Sequence, residues 1–168
     1  MQSVHIPEEK IVASRQVDVL VLGSGPAGSA AAIMAARMGA DTLLVDFASV
    51  PGGISTAGGM SHYTGSVDSR LYEEVLQRMS EKNRKDIRVP RRTIIDTANM
   101  TATWIELLEE AGAKLLLYTM ACEAVVEEGA VKGVVIQNKT GRSVVMAKAV
   151  IDATGDGDIA ASAGVEFV

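Results

Sequence analysis

From Asp18 to Leu22 the chain reads DVLVL, a β-branched and leucine run with no polar face. Such a run predicts a central parallel strand buried on both sides. Small and apolar residues dominate from Pro26 to Met38, with Pro26 near the first turn and Gly39 where the run stops, so a helix is predicted there. Asp41 to Asp46 (DTLLVD) predicts a second buried strand, closing a right-handed strand-helix-strand unit of about 30 residues. Phe47 to Val67 holds five glycines, a proline and several hydroxyl residues and predicts a long loop. Loops of that length inside a domain are usually functional.

Leu71, Val75, Leu76 and Met79 recur at helical spacing within Ser69 to Lys82. A second helix is predicted from Thr97 to Ala111, where Met100, Trp104, Leu107, Leu108 and Ala111 form one face and Gly112 marks the end. Lys114 to Tyr118, Cys122 to Glu127, Val131 to Gln137 and Ser143 to Lys148 then predict one strand followed by a small antiparallel three-stranded meander. Val150 to Asp152 predicts a further buried strand, leading through Ala153-Thr154-Gly155-Asp156-Gly157-Asp158 into a short helix from Ile159 to Ala163. Met1 to Gln16 is polar and aperiodic and reads as an arm, leaving residues 17–168 as one α/β domain. No repeat, low-complexity tract or linker interrupts it.

Composition narrows the function classes. With 168 residues, 48% of them hydrophobic, the chain can bury about 70% of its unfolded surface in one core. Sixteen basic against twenty-one acidic residues give a net charge of −5, which disfavours nucleic acid as a partner, and 4% aromatics disfavour stacked-base recognition. The longest apolar run, Ala30 to Ala36, stops at Arg37, short of the roughly 20 residues that span a bilayer. Cys122 is the single cysteine, and the first residues lack the pattern of a secretory signal, so a cytoplasmic location is expected. Sixteen glycines exceed the usual share of about 7%.

Their placement carries the chemistry. Gly23-Ser24-Gly25-Pro26-Ala27-Gly28 is a GxGxxG between a predicted strand and a predicted helix. In that setting the first glycine permits a tight turn, the second lets a pyrophosphate approach the backbone, and the third lets helix and strand pack closely. The helix N-terminus adds free N–H groups and a positive dipole end. Asp46 ends the second strand 18 residues after Gly28, near the spacing at which a carboxylate reaches a ribose hydroxyl pair. The residues therefore point to an adenine dinucleotide, against the alternative of a glycine-rich turn with no ligand. The meander before the next parallel strand argues against a simple nicotinamide dehydrogenase.

These segments resemble the FAD-dependent oxidoreductase family of two-dinucleotide-binding-domain flavoproteins, with their glutathione-reductase-like Rossmann domain. The resemblance rests on VDVLVLGSGPAGSAAAIMAARMGA, GGISTAGG and AKAVIDATGDGDIAASAG in that order, and extends from about Val17 to Phe167. It implies a Rossmann-like FAD/NAD(P)-binding domain in which Gly23, Gly25, Pro26, Ala27 and Gly28 surround the FAD pyrophosphate and Asp46 holds the adenosine ribose. Gly52 and Gly53 would continue the wall along the phosphates and ribityl chain, and Ser55, Thr56, Gly58 and Gly59 would run beside the flavin. Cys122 would offer main chain to the adenine edge, with its thiol buried and inert. Thr154, Gly155 and Asp156 would approach the cofactor from the end of the last strand.

The family resemblance implies hydride transfer between a small-molecule substrate and FAD. It also implies a substrate region and a C-terminal return to the cofactor that this sequence does not contain. One expectation is the N-terminal part of a flavin oxidoreductase, either a fragment or a subunit whose flavin site a partner chain or homo-oligomer completes; a free-standing dinucleotide-binding module without turnover is the other. The succinate dehydrogenase and fumarate reductase type of flavoprotein is a rival, since Gly52 to Met60 also resembles its flavin loop, although ATGDGD fits the first family better.

Other features have plainer readings. Asp152, Asp156 and Asp158 miss the calcium-loop spacing and lack its glutamate at the twelfth position, and Asp158 reads as a helix cap. His62 and Tyr63 beside the glycine loop read equally as proton donors or as solvated loop residues, and His5 has no partner ligand nearby in sequence. Arg78, Lys82, Arg84, Lys85, Arg88, Arg91 and Arg92 read as a solvated helix end and loop rather than as an anion patch. No general acid or base stands out.

Overall fold

The computed structural model describes residues 11–60, 67–84 and 96–166. Six strands form one sheet: β1 (Ala13–Leu22), β2 (Thr42–Val45), β3 (Lys114–Leu116), β4 (Met120–Glu127), β5 (Ala130–Asn138) and β6 (Gly141–Asp152), in the order β3-β2-β1-β6-β5-β4. The pairs β3-β2, β2-β1 and β1-β6 are parallel, whereas β6-β5 and β5-β4 are antiparallel. Four helices accompany it: α1 (Pro26–Arg37), α2 (Arg70–Asn83), α3 (Thr97–Ala111) and α4 (Asp158–Ser162).

The buried strands divide their side chains between two cores, because successive residues of a strand point to opposite faces. Val21 and Leu44 join Ile33 of α1, Val75 and Met79 of α2, and Trp104 and Leu107 of α3. Leu20, Leu22, Leu43 and Val45 face the other way and join Val134, Ile136, Val145 and Ala147 of the meander with Ile159 of α4. This second core thus joins residues of the antiparallel strands and α4 to the face of β1 and β2 turned away from α1, α2 and α3. The C-terminal half of β1 and Leu43 to Val45 of β2 contribute to both cores, whereas the first four residues of β1 are exposed.

Two expected boundaries are corrected. Ser143 to Lys148 and Val150 to Asp152 are not two strands: they are the halves of β6, which pairs with β5 through Met146 and with β1 as far as Asp152. One extended segment serves both halves of the sheet, because its residues keep pairing with β1 along almost its whole length. For the same reason β1 starts at Ala13 and takes in the last residues of the expected arm.

Local signals set the helix ends. The Asp96 carboxylate accepts from Asn99 N–H at 2.9 Å at the start of α3, and Gly112 closes that helix at φ 80. Arg37 bridges to Glu74, Glu74 to Arg78 and Arg78 to Glu110, so a chain of charges links α1, α2 and α3. Lys82 pairs with Glu106 at 2.7 Å. Arg78 and Lys82 are thus neutralised by neighbouring helices, as a solvated helix end requires; Lys85, Arg88, Arg91 and Arg92 lie outside the described residues.

The register fixes the place of everything that follows. Leu22 pairs with Val45 on one side and with Asp152 on the other, and Val45 pairs with Leu116. The carboxyl ends of β1, β2 and β6 are level, so the chain leaves all three at one rim. In open α/β sheets that rim is where ligands bind.

Candidate functional site

Three turns meet at the rim. The first, Gly23 to Gly28, joins β1 to α1. Gly23 has φ 88, and a Cβ on it would strike the Ala153 carbonyl. A Cβ on Gly28 would collide with the Gly23 carbonyl and come within 3.2 Å of the Ala153 methyl. Gly23 is closed by the turn that follows β6, and Gly28 first by the carbonyl of Gly23 in its own turn. Gly25 differs: nothing stands within 4 Å of where its Cβ would be, and it is the N-cap of α1.

No side chain caps α1, and its first turn holds no acidic residue. Its leading N–H groups are therefore free to receive an anion, and Pro26 sits where a missing N–H costs nothing. An open glycine at the mouth of an uncapped helix is a cradle for a pyrophosphate, and the residues present fit that group.

The second turn follows β2. The Gly52 N–H donates to the Ser24 carbonyl at 2.6 Å, and a Cβ on Gly53 would lie 2.9 Å from Gly25 Cα, so this loop lies against the first turn. Its hydroxyls hold the loop itself. Ser55 Oγ donates to the Gly52 carbonyl at 2.7 Å, Thr56 Oγ1 donates to the Pro51 carbonyl at 2.7 Å, and both residues are buried. Trp104 of α3 closes over the loop, its Nε1 donating to Ser55 Oγ at 3.4 Å. Gly58 and Gly59 are exposed beyond these bonds.

Asp46 stands between the first two turns. Its Oδ2 accepts from both the Ser24 N–H and the Ser24 hydroxyl, the latter at 2.6 Å. Its Oδ1 accepts from Ala48 N–H at 2.9 Å.

The third turn, after β6, is built on a residue that sequence reasoning did not select. Asp152 Oδ1 accepts from the Thr154 N–H at 3.0 Å and from its hydroxyl at 2.7 Å, while Oδ2 accepts from the N–H groups of Ile159 at 2.9 Å and Ala160 at 2.8 Å. Burial pushes its pKa up, but the Thr154 hydroxyl and these backbone donors outweigh burial and hold the carboxyl below its usual range. Asp152 thereby caps α4, and the expected cap, Asp158, is only its first residue. An aspartate two residues before a threonine at a strand end is an Asx-turn signal and could have been read from the sequence. Thr154 and Ala153 sit against Gly23 and Gly28, while Gly155 and Asp156 are exposed at the tip.

Cys122 follows the segment entering β4, where the Tyr118 N–H donates to the Ala48 carbonyl and the Thr119 N–H to the Asp46 carbonyl. It lies on β4 at the sheet edge, where the register with β5 shifts between Ala121 and Glu123. Cys122 is exposed, contrary to the expectation of burial, since β4 is an edge strand with no further strand beyond it among the described residues. His5, His62 and Tyr63 lie outside the described residues. Among the described residues no group of three or more His, Cys, Asp or Glu could hold a metal, and no helix is long and apolar enough to cross a membrane.

Comparison with known proteins agrees with this geometry. The chain is 31% identical over 148 residues to the thiamine thiazole synthase of Methanococcus vannielii, covering 83% of this chain and 56% of that protein. It is 33% identical over 150 residues to digeranylgeranylglycerophospholipid reductase 2 of Methanopyrus kandleri, covering 83% of this chain and 38% of that one. The chain thus spans about half the length, or less, of these relatives. A geranylgeranyl bacteriochlorophyll reductase-like protein from Thermoplasma acidophilum shares the fold, with TM-score 0.66 and 22% identity over 92% of this chain and 44% of its own. Residues 18–168 match the FAD dependent oxidoreductase family, and with the glycine turns at the rim this chain belongs to it.

Proposed function

We propose that this chain forms the adenosine and pyrophosphate half of a flavin site in an oxidoreductase that passes hydride between a small-molecule substrate and FAD. The observation that carries the reading is the convergence of three glycine turns on the uncapped N-terminus of α1, with Gly25 open. Bound FAD would supply the two-electron chemistry. The chain's own residues bind and orient it. In this reading the N–H groups at the start of α1 and the backbone of Gly23, Gly25, Pro26, Ala27 and Gly28 take the pyrophosphate. Asp46 takes the adenosine ribose.

The loop from Gly52 to Gly59 lines the path towards the ribityl chain and flavin. Ser55 and Thr56 act there by shaping the backbone, since their hydroxyls already bond within the loop. Thr154, Gly155 and Asp156 close the site from the β6 side, and Cys122 offers main chain to the adenine edge. Further polypeptide, a partner chain or a second copy completes the flavin side. In support, β6 beyond Met146 pairs with β1 but with no strand on its other side among the described residues. The single cysteine fits a cytoplasmic, reducing setting.

The test is cofactor retention. The purified chain should carry flavin absorbance through gel filtration and bind FAD more tightly than NADP. Tighter NADP binding would overturn the reading. Asp46→Ala should weaken FAD binding by about 1.5 to 3 kcal/mol through lost bonds to a charged group, read as a dissociation constant by calorimetry.

A further inference from the structure

The residue between the first two glycines, Ser24, has no role in the fingerprint itself, yet it is fully buried and every polar atom of it is engaged. Its carbonyl accepts from Ser29 Oγ at 2.9 Å and from the Gly52 N–H at 2.6 Å. Its N–H and its hydroxyl both donate to Oδ2 of Asp46, and Ala48 N–H donates to Oδ1. A carboxylate offers about four acceptor sites, so these three donors fix its plane and leave one site, on Oδ1, for one hydroxyl of a ligand. An aspartate side chain otherwise rotates freely about a broad terminal torsion. Any ligand that bonds to it must then bear the entropy of ordering it.

We propose that Ser24 is a positioning residue whose hydroxyl holds the Asp46 carboxylate ready for a vicinal diol, the ribose of the adenosine half of the cofactor. The inference rests on the flavin-site reading above. It adds that diol affinity depends on a side chain that itself touches no ligand. Ser24→Ala keeps the backbone N–H bond to Oδ2 and removes only the hydroxyl bond. The cost should therefore fall on ligands that use Asp46 and on no others.

The experiment is calorimetric titration of the 168-residue chain and its variants with ADP and with 2′,3′-dideoxy-ADP, which lacks the diol but keeps the pyrophosphate. Circular dichroism confirms that each variant is folded. For Ser24→Ala the Kd for ADP should rise about five- to tenfold, below the more than tenfold scale of a lost hydrogen bond to a charged group because the ligand feels the loss only through Asp46, while the Kd for dideoxy-ADP stays within about twofold of wild type. Asp46→Asn, which keeps the shape and loses the charge, should show the same selectivity for ADP. Equal losses for the two nucleotides would mean that Ser24 merely supports the turn and would overturn the proposal; so would an unchanged ADP Kd. Failure of the wild-type chain to bind ADP would instead sink the flavin-site reading, and this proposal with it. Equal wild-type affinity for ADP and dideoxy-ADP would remove Asp46 from the ribose.

Discussion

The turns after β1 and β6 leave neighbouring strands at the same level and touch each other, yet they differ in what closes them. The first is defined by what is missing: Gly23 and Gly28 have no side chain because the Ala153 carbonyl and the Gly23 carbonyl occupy the space. The second is defined by what is present, a carboxylate on Asp152 that gathers four donors from Thr154, Ile159 and Ala160. At its glycines the first turn is fixed by exclusion of volume, with Ser24 between them tied to the Asp46 carboxylate, whereas the turn after β6 rests on the Asp152 carboxylate and its four donors. The difference teaches that a glycine fingerprint reports only half of such a rim. Its neighbour depends on chemistry that titrates.

The largest effect expected is that of Gly28→Ala. The added methyl has nowhere to go, since backbone and not a flexible side chain stands in its place. A loss on the order of 3 kcal/mol or more is expected, at the upper end of overpacking, measured as the shift in urea midpoint. Asp152→Ala comes next, at about 2 to 3 kcal/mol, because the Ile159 and Ala160 N–H groups lose their partner at the start of α4. A change below about 0.5 kcal/mol would show that solvent satisfies those groups and that the contrast between the turns is false.

Acidification separates the two turns directly. The Asp152 carboxyl is held below its ordinary range in the folded state, so its contribution is fully present above the unfolded value of about 3.9 and is lost as pH falls through the depressed folded value. The stability difference between wild type and Asp152→Ala should shrink as pH is lowered from 5 towards 3, by urea titration at each pH. The difference between wild type and Gly28→Ala should stay constant over that range, because no proton is involved. Parallel loss in both variants would erase the distinction.

The smallest effect belongs to the helix layer. Arg37→Ala should cost about 0.5 kcal/mol and less at 1 M salt, since the pair with Glu74 is about one-third exposed. A cost of 2 kcal/mol would mean that charge, and not the apolar contacts of Val75, Met79 and Trp104, seats α2 on the sheet.

Much of this was legible in the sequence where a single residue's chemistry decides the outcome. DVLVL and DTLLVD read as buried strands because no polar residue could be turned outward, and both strands are buried on two faces. Gly112 read as a helix end because the residue must take positive φ. The meander was legible as three strands but not as part of the same sheet. Whether Val150 to Asp152 continues Ser143 to Lys148 depends on pairing with β1, some 130 residues away in sequence. Cys122 was misread for a related reason: its apolar neighbours suggest burial, whereas exposure follows from its place on an edge strand. The Asx turn at Asp152 is local and legible, but its cap on α4 is not, because the Ile159 and Ala160 N–H groups reach Asp152 only once α4 has folded back.

The sequence by itself determined the α/β class, the strand-turn-helix fingerprint and the family, because glycine positions, buried runs and an acid at a strand end are local and chemically restrictive. Only the tertiary structure decided that the rim holds three turns in mutual contact, that Ser24 and Asp46 are tied together, and that Asp152 builds the third turn. Those facts depend on the level ends of β1, β2 and β6, and register between distant strands is set by packing over the whole sheet rather than by any one segment.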